Sequence, residues 1–382
     1  MTTAVPVAPE ASPRAPEFLS GPMSALVDCI RVVSATAVMI AHSHALGFHS
    51  GQPFVGPMGA HYAVVVFFVV SGLAVGTGAA RPGTGLADYA LARGTRIVPV
   101  AAFALAFATL AFVLKGPVPV FEPQRGVEVL TWQAVVHPLL FLTETATGQL
   151  PVWNAPWWSL SYEAWYYALL GAAVFLRGTR RLIWLGAVAV IAGLPILLLL
   201  PVWLAGVALA WFPAWVRLDR RAGAALLALA VALFALGRAI DLPVLVWLAA
   251  HSPLPLVNSQ NLAGDLVVGA AVALGLAGVR PWLPAAAGLA GRLAPMLRWL
   301  SGLSFTTYLF HQPLLCLLRS WGLAAPAGTL GAVAGLAGVL ACCAVLAALG
   351  ERRTPALRRW LVARADRAHT ASPTRPLAAS PA

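Results

Sequence analysis

Apolar runs of membrane-spanning length recur about ten times along this chain, and they constrain its fold more than any other feature. The hydrocarbon core of a bilayer is about 30 Å thick, and an α-helix crosses it with about 20 apolar residues. The runs cover residues 24–46, 58–79, 95–115, 157–176, 181–200, 201–216, 222–240, 262–279, 299–320 and 327–350. We therefore predict an all-α, polytopic membrane protein with about ten transmembrane helices.

The composition supports a membrane protein and argues against a soluble one. Of the 382 residues, 60% are hydrophobic and 10% are charged, whereas a soluble domain carries about 25% charged residues. The net charge is +12, but the arginines lie between the apolar runs. This distribution indicates helix orientation and contact with lipid headgroups, not nucleic acid. The sequence contains no Walker loop, dinucleotide fingerprint or zinc-ligand spacing, so we predict no bound metal or cofactor.

The arginines are distributed unevenly between alternate connections of the predicted helices. If the N-terminus is cytoplasmic, the connections on that side hold arginine clusters such as those at 177–181 and 217–221. The positive-inside rule then places both termini in the cytoplasm. We predict that residues 1–22, which include five prolines, form a disordered tail. Residues 351–382 are predicted to form a basic cytoplasmic tail rich in alanine, proline and serine.

Two ionisable residues, Arg31 and His42, lie inside the first apolar run. Ionisable side chains are costly in a membrane and are usually kept there for function. Eleven residues of helix bring His42 to within about 20° of the face of Arg31, about 16 Å further along the axis. We therefore expect a cation and a titratable imidazole on one helix face. A structural alternative is that Arg31 pairs with Asp28 and that His42 bonds to a neighbouring helix.

Two further runs have charged residues near their first turns. Arg93 and Arg96 open the third run, where guanidinium groups either bind phosphate or anchor a helix at the cytoplasmic surface. Glu163 lies about 8 Å into the fourth run, near the depth expected for His42. We predict that this carboxylate orients the imidazole, although it could also face an aqueous cavity or another partner.

The ninth run carries a polar stripe. Ser304, Tyr308 and His311 are spaced at i, i+4 and i+7, which places them on one face of a helix. Stripes of this kind often join transmembrane helices through hydrogen bonds. A histidine in the middle of a span is as consistent with contact to a ligand as with a satisfied core position.

At these residues the chain resembles a known family, the acyltransferase-3 group of integral-membrane O-acyltransferases. These enzymes acylate sugars of lipopolysaccharide, peptidoglycan, exopolysaccharide and some antibiotics. The resemblance covers about residues 24–350 and rests on motifs that are weak singly but strong in this order. The motifs are Arg31-x10-His42, FFVVSG at Phe67–Gly72, Arg93-x-x-Arg96-Ile-Val-Pro99, WSLSYE at Trp158–Glu163 and SFTTYLFHQP at Ser304–Pro313.

The resemblance implies roles for individual residues. It makes His42 the essential histidine, with Arg31 as its motif partner, and we add Glu163 to this predicted catalytic group. It assigns Arg93 and Arg96 to the acyl-CoA donor. The remaining polar motif residues are predicted to bind substrate, and they are Ser71, Trp158, Tyr308 and His311. One departure is Val65, because many relatives have an acidic residue two positions before the double phenylalanine.

The resemblance implies a multi-pass protein of the bacterial cytoplasmic membrane, with a transmembrane acyltransferase domain at 23–350. The expected reaction moves a short acyl group, such as acetyl, from acyl-CoA to a hydroxyl of a carbohydrate or glycolipid. His42 is the expected general base, and acyl-CoA is a co-substrate and not a bound cofactor. A rival function is transport or export of a polar small molecule or glycan intermediate. A non-catalytic scaffold would leave the buried Arg31 and His42 unexplained.

Overall fold

The computed structural model describes residues 18–19, 21–48, 55–118, 128–145, 147–251, 256–323 and 329–370. This part of the chain is helical and contains no strand, which confirms the predicted all-α fold. Its α-helices are α1 (Pro22–Ala45), α2 (Pro57–Ala79), α3 (Leu86–Lys115), α4 (Gln133–Leu139), α5 (Trp157–Phe175), α6 (Gly178–Ala192), α7 (Leu194–Leu198), α8 (Leu200–Trp211), α9 (Arg220–His251), α10 (Leu262–Val279), α11 (Ala287–Ser301), α12 (Ser304–Ser320), α13 (Thr329–Leu349) and α14 (Thr354–Thr370).

Six helical stretches in the described residues are long and apolar enough to cross a membrane. They are Pro22–Ala45, Pro57–Ala79, Leu86–Lys115, Arg220–Ile240, Leu262–Ser301 and Gly331–Arg364. The other predicted spans are also helical but shorter or less apolar, as in α5, α8 and α12. The predicted span 181–200 is interrupted, because Gly193 has φ of 82° and separates α6 from α7. The count of about ten spans and the cytoplasmic location of both termini stay predictions.

Glycines bring α2 and α8 into backbone contact. A Cβ atom added at Gly72 would lie 2.0 Å from the carbonyl oxygen of Trp203. A Cβ atom added at Gly206 would lie 1.9 Å from the carbonyl oxygen of Val69. No side chain fits at these distances, and small residues are what allow transmembrane helices to approach so closely. This contact fixes the rotation of α2, which determines where Ser71 points.

Helices α1 and α12 run side by side and parallel. The hydroxyl of Ser301, just before α12, donates to Asp28 Oδ1 at 2.8 Å. Near the other end, the guanidinium of Arg319 donates to the carbonyl oxygen of Leu46. Both residues of the second contact come later in the sequence than those of the first, so the two helices run in the same direction. Residues at the same height on α1 and α12 are therefore neighbours. The Arg31 and His42 face of α1 therefore lies beside the polar face of α12.

A proline in α12 creates the contact that fixes the start of α5. Pro313 has no backbone N–H, so the carbonyl oxygen of Leu309 lacks its usual partner in the helix. The side-chain Nδ2 of Asn154 donates to this oxygen at 2.9 Å. Nearby, the Tyr308 hydroxyl donates to the carbonyl oxygen of Pro156 at 3.0 Å. The turn that precedes α5 is thus attached to the middle of α12.

Both predicted tails include residues that pack against the helices. Phe18 is buried, and the guanidinium carbon of Arg280 lies 5.7 Å from its ring centre. After α13, a 3-10 turn at Glu351–Arg353 leads into α14. The rest of the predicted tails, residues 1–17, 20 and 371–382, lies outside the described residues.

Candidate active site

A cavity of about 80 Å³ lies among α1, α2, α3, α5 and α12. It brings together residues that are far apart in the sequence, including six of the nine predicted site residues. Its polar lining consists of Arg31, Ser71, Arg93, Arg96, Ser159, Glu163, Tyr167, Ser304 and Tyr308. Phe67 and Phe68 of α2 contribute to the apolar part of the wall. The predicted residues outside this lining are His42, His311 and Trp158.

Regular helical spacing explains why these side chains converge. On α5, Ser159, Glu163 and Tyr167 are four residues apart and therefore share one face. On α2, Phe67 and Ser71 have the same spacing. The apolar residues between them turn to other helices, so one face of each helix supplies the polar wall.

Positive charge dominates the cavity lining. Arg31, Arg93 and Arg96 face a single carboxylate, Glu163, among the described residues of the lining. The guanidinium carbon of Arg93 lies 5.7 Å from the ring centre of Tyr167. Its Nε is buried without a hydrogen-bond partner in the described part of the chain. Arg96 is exposed. The lining itself thus carries net positive charge, although Glu351 and Asp28 act on Arg31 from outside it. Guanidinium groups match the geometry of phosphate oxygens.

Glu163 is held by hydroxyl groups on two helices. Its Oε1 accepts a hydrogen bond from Ser71 Oγ on α2 and one from the Tyr167 hydroxyl at 2.5 Å. The indole Nε1 of Trp203 donates to Ser71 Oγ at 3.3 Å, so α8 supports the same cluster. A carboxylate that accepts two hydroxyl hydrogen bonds is fixed in orientation. The cluster also holds the Tyr167 ring beside Arg93.

His42 and His311 form a pair between α1 and α12. His42 Nδ1 lies 2.8 Å from His311 Nε2, and the two rings are nearly parallel with centroids 5.1 Å apart. His311 Nδ1 lies 2.9 Å from the carbonyl oxygen of Thr307, which can only accept, so this nitrogen carries a proton. In neutral His311 the acceptor is then Nε2, and the donor is the Nδ1–H of His42. Neutral His42 therefore has its lone pair on Nε2.

The histidine pair lies one helical turn beyond the cavity. Tyr308 lines the cavity, and its ring centroid is 6.1 Å from that of His311. On α1, the helical rise separates Arg31 from His42 by about 16 Å. The two motif residues on α1 thus occupy different depths, Arg31 at the cavity and His42 at the pair. An extended ligand could contact both.

The predicted contact between Glu163 and His42 is wrong. Glu163 accepts from Ser71 and Tyr167, and the ring partner of His42 is His311. Residue spacing predicted a similar depth for the two groups, but Glu163 lies in the cavity with Arg31, and α5 turns it toward Ser71 on α2. The alternative pairing of Arg31 with Asp28 is present only as a longer-range interaction. Asp28 lies within electrostatic reach of Arg31, but the ion pairs of the described residues do not include the two.

Trp158 belongs to a separate cluster near the start of α2. Its ring stacks on that of His61, with centroids 5.8 Å apart and an interplanar angle of 16°. His61 Nε2 lies 2.8 Å from Asp265 Oδ1, and Asp265 is fully buried at the start of α10. Sequence reasoning did not select Asp265. The available signal was a carboxylate inside the apolar run 262–279.

Sequence reasoning also assigned Glu351 to the tail, although it lies next to the cavity. Its carboxylate accepts hydrogen bonds from the Thr306 backbone N–H at 3.0 Å and from the Thr306 hydroxyl at 2.7 Å. Thr306 lies in the first turn of α12, where the positive end of the helix dipole stabilises a carboxylate. Glu351 is also within electrostatic reach of Arg96 and Arg31. The sequence signal was a single glutamate directly after the last apolar run.

Comparison with known proteins agrees with the motifs. A family model described as an acyltransferase domain, acyltransferase-3, matches residues 25–348, which is nearly the whole chain. No curated protein and no solved structure matches the chain. The match supports membrane O-acyltransferase activity in general, in keeping with the apolar helices described above. On this evidence the chain belongs to the acyltransferase-3 family.

Proposed function

We propose that the protein transfers a short acyl group, such as acetyl, from acyl-CoA to a hydroxyl of a carbohydrate or glycolipid in the bacterial cytoplasmic membrane. The observation that carries this proposal is the His42–His311 pair, which lies one helical turn beyond an arginine-lined cavity. The cavity supplies an anion site, and the pair supplies a base with a defined lone pair. Acyl transfer from a donor that carries phosphate groups needs both the anion site and the base.

The donor lies along the shared face of α1 and α12. Arg93 and Arg96 bind the phosphates of CoA, because guanidinium groups form charge-assisted hydrogen bonds with phosphate oxygens. Arg31 extends the positive wall inward from them. The pantetheine arm then passes Tyr308 and brings the thioester to His42, about 16 Å beyond Arg31 along α1.

His42 acts as the general base at its Nε2 atom. This nitrogen takes the proton of the acceptor hydroxyl while the hydroxyl oxygen attacks the thioester carbonyl carbon. The tetrahedral intermediate collapses with cleavage of the carbon–sulfur bond. The thiolate of CoA leaves and receives the proton from His42, so the products are the ester and CoA thiol. His311 acts as a positioning residue, because it accepts the Nδ1–H of His42 and holds the tautomer that leaves Nε2 basic.

Glu163 acts in the cavity and not on the histidine. By holding Tyr167 it keeps the aromatic face against which the Arg93 guanidinium rests. Ser71 donates its proton to the same carboxylate and accepts from Trp203, which makes it a structural member of the cluster. We therefore propose direct transfer to the acceptor hydroxyl without an acyl-serine intermediate.

The test compares His42→Ala with His44→Ala, a histidine on the same helix. Membranes that contain each variant at equal protein level are incubated with acyl-radiolabelled acetyl-CoA and candidate glycans. We expect wild-type ester formation with His44→Ala and a loss of about 10²–10⁴-fold with His42→Ala, the range for a removed general base. Full activity of His42→Ala would refute the proposed base. Unacylated glycan that crosses the membrane without ester formation would favour the transporter.

A further inference from the structure

A second, larger groove runs along the outside of the bundle between α3, α5 and α6. It has a volume of about 710 Å³ and opens to the surroundings. Side chains of Leu86, Val98, Trp184 and Ile191 on its rim are exposed. On α3 the lining extends from Leu86 to Val98, a helical length of about 18 Å. This length is close to one leaflet, which is about half of the 30 Å hydrocarbon core.

The groove offers hydrocarbon and few hydrogen bonds. Its lining is largely Ala, Gly, Leu, Ile, Val and aromatic side chains. The polar atoms of two of its aromatic residues are already bonded within the protein. The Tyr89 hydroxyl donates to the carbonyl oxygen of Tyr167 at 3.0 Å, and Trp165 Nε1 donates to that of Phe141 at 2.8 Å. A water-soluble ligand would lose its hydration here without replacement, so the lining selects an apolar chain.

One end of the groove opens beside a cluster of arginines. Leu176 lines this end, and the next five residues include Arg177, Arg180 and Arg181. Arg181 Nε donates to the carbonyl oxygen of Leu176 at 2.8 Å, which ties the cluster to the groove. Arg180 is exposed. Arginine clusters at the end of a membrane span attract anionic lipid headgroups, with about 1 kcal/mol for each arginine near the surface.

We infer that this groove binds one hydrocarbon chain of an anionic phospholipid, whose phosphate is held by Arg177 and Arg180. The chain occupies the groove from Leu176 upward. Arg93 and Tyr167 line both the groove and the reaction cavity. The bound chain therefore lies behind these two residues and separates the cavity from bulk lipid. This inference does not depend on the identity of the acyl donor or acceptor.

The experiment uses full-length protein in nanodiscs of phosphatidylcholine with a small fraction of phosphatidylglycerol that carries a diazirine on one acyl chain. After irradiation, mass spectrometry maps the cross-linked residues. The blocking variant is Gly94→Leu, because Gly94 lines the groove and a Cβ there meets no atom within 4 Å. The matched control is Gly186→Leu on α6, which also has open space around its Cβ but does not line the groove.

We expect cross-links concentrated on the facing surfaces of α3, α5 and α6, reduced at least fivefold by Gly94→Leu and unchanged by Gly186→Leu. Replacing Arg177 and Arg180 by glutamine should lower labelling about fivefold for each arginine, toward the level of a diazirine phosphatidylcholine probe. Cross-links spread evenly over all lipid-facing helices, or unchanged by Gly94→Leu, would overturn the inference. Native mass spectrometry of the wild-type protein provides a second readout, since a specific site should retain phosphatidylglycerol after detergent extraction.

Discussion

Replacing His311 by leucine tests the proposed tautomer of His42. The substitution removes the atom that accepts the Nδ1–H of His42 and leaves the arginines of the cavity in place. His42 is partly buried, and loss of the partner of a buried donor costs about 1–3 kcal/mol. At about 1.4 kcal/mol for each factor of ten in rate, kcat should fall about 5-fold to 150-fold. This loss is smaller than that expected for His42→Ala, since the base itself is still present.

A conservative variant, His311→Gln, separates the effect of the hydrogen bond to His42 from the effect of side-chain volume. In His311→Gln, the side-chain oxygen can accept from His42 Nδ1–H, so part of the lost kcat should return. The KM for acyl-CoA should stay near the wild-type value in both variants, because Arg31 of the anion site lies about 16 Å from His42 along α1. Initial rates with radiolabelled acetyl-CoA over a range of concentrations give kcat and KM separately. Thermal melting of the purified variants controls for stability, since His311 is fully buried.

Three results would refute this reasoning. Wild-type kcat in His311→Leu would show that His42 does not need this partner. A raised KM with unchanged kcat would assign His311 to ligand binding, with no effect on the base. If kcat falls equally in the leucine and glutamine variants, at wild-type melting temperatures, the hydrogen bond between His311 and His42 does not determine kcat.

Two further predictions concern the anion site and the helix contact. Arg93→Gln and Arg96→Gln should each raise the KM for acyl-CoA about tenfold, the lower range for a charge-assisted hydrogen bond, whereas Arg298→Gln outside the cavity should not. An unchanged KM would assign these arginines to membrane orientation. Gly206→Ala should destabilise the protein by about 1–3 kcal/mol, because its Cβ would meet the α2 backbone at 1.9 Å. Gly335→Ala, which has open space around its Cβ, should keep or raise the melting temperature, and equal melting of both variants would contradict the proposed backbone contact.

Relations within one helix could be predicted from the sequence, because the helical repeat is fixed. The 11-residue spacing of Arg31 and His42 gave their shared face and different depths, and Tyr308 and His311 were placed on one face in the same way. The all-helical fold could also be predicted, because the apolar runs are long enough to cross a bilayer as helices. A break within a run was harder to foresee. The run 181–200 reads as one helix until the positive φ of Gly193 is known.

Relations between helices could not be predicted, because they depend on rotations that packing sets. Glu163 was expected at the depth of His42, yet it lies in the cavity with Arg31, where α5 turns it toward Ser71. That rotation follows from contacts with no local sequence signature, such as the bond from Asn154 to α12 and the backbone contact at Gly206. Glu351 was missed for a similar reason. Its role next to α12 requires the chain after α13 to turn back toward the cavity, which no periodic pattern encodes.

The separation of the two halves of the site restricts the kind of donor that can react there. The positive lining surrounds Arg31, and His42, the proposed base, is about 16 Å away along α1. A small anion held by the arginines cannot reach His42, and a small ester at His42 gains nothing from the arginines. Only a molecule with phosphate at one end and its reactive carbonyl at the other uses both. An acyl-CoA thioester has this form, so the distance between the two motif residues of α1 is itself an argument for this donor.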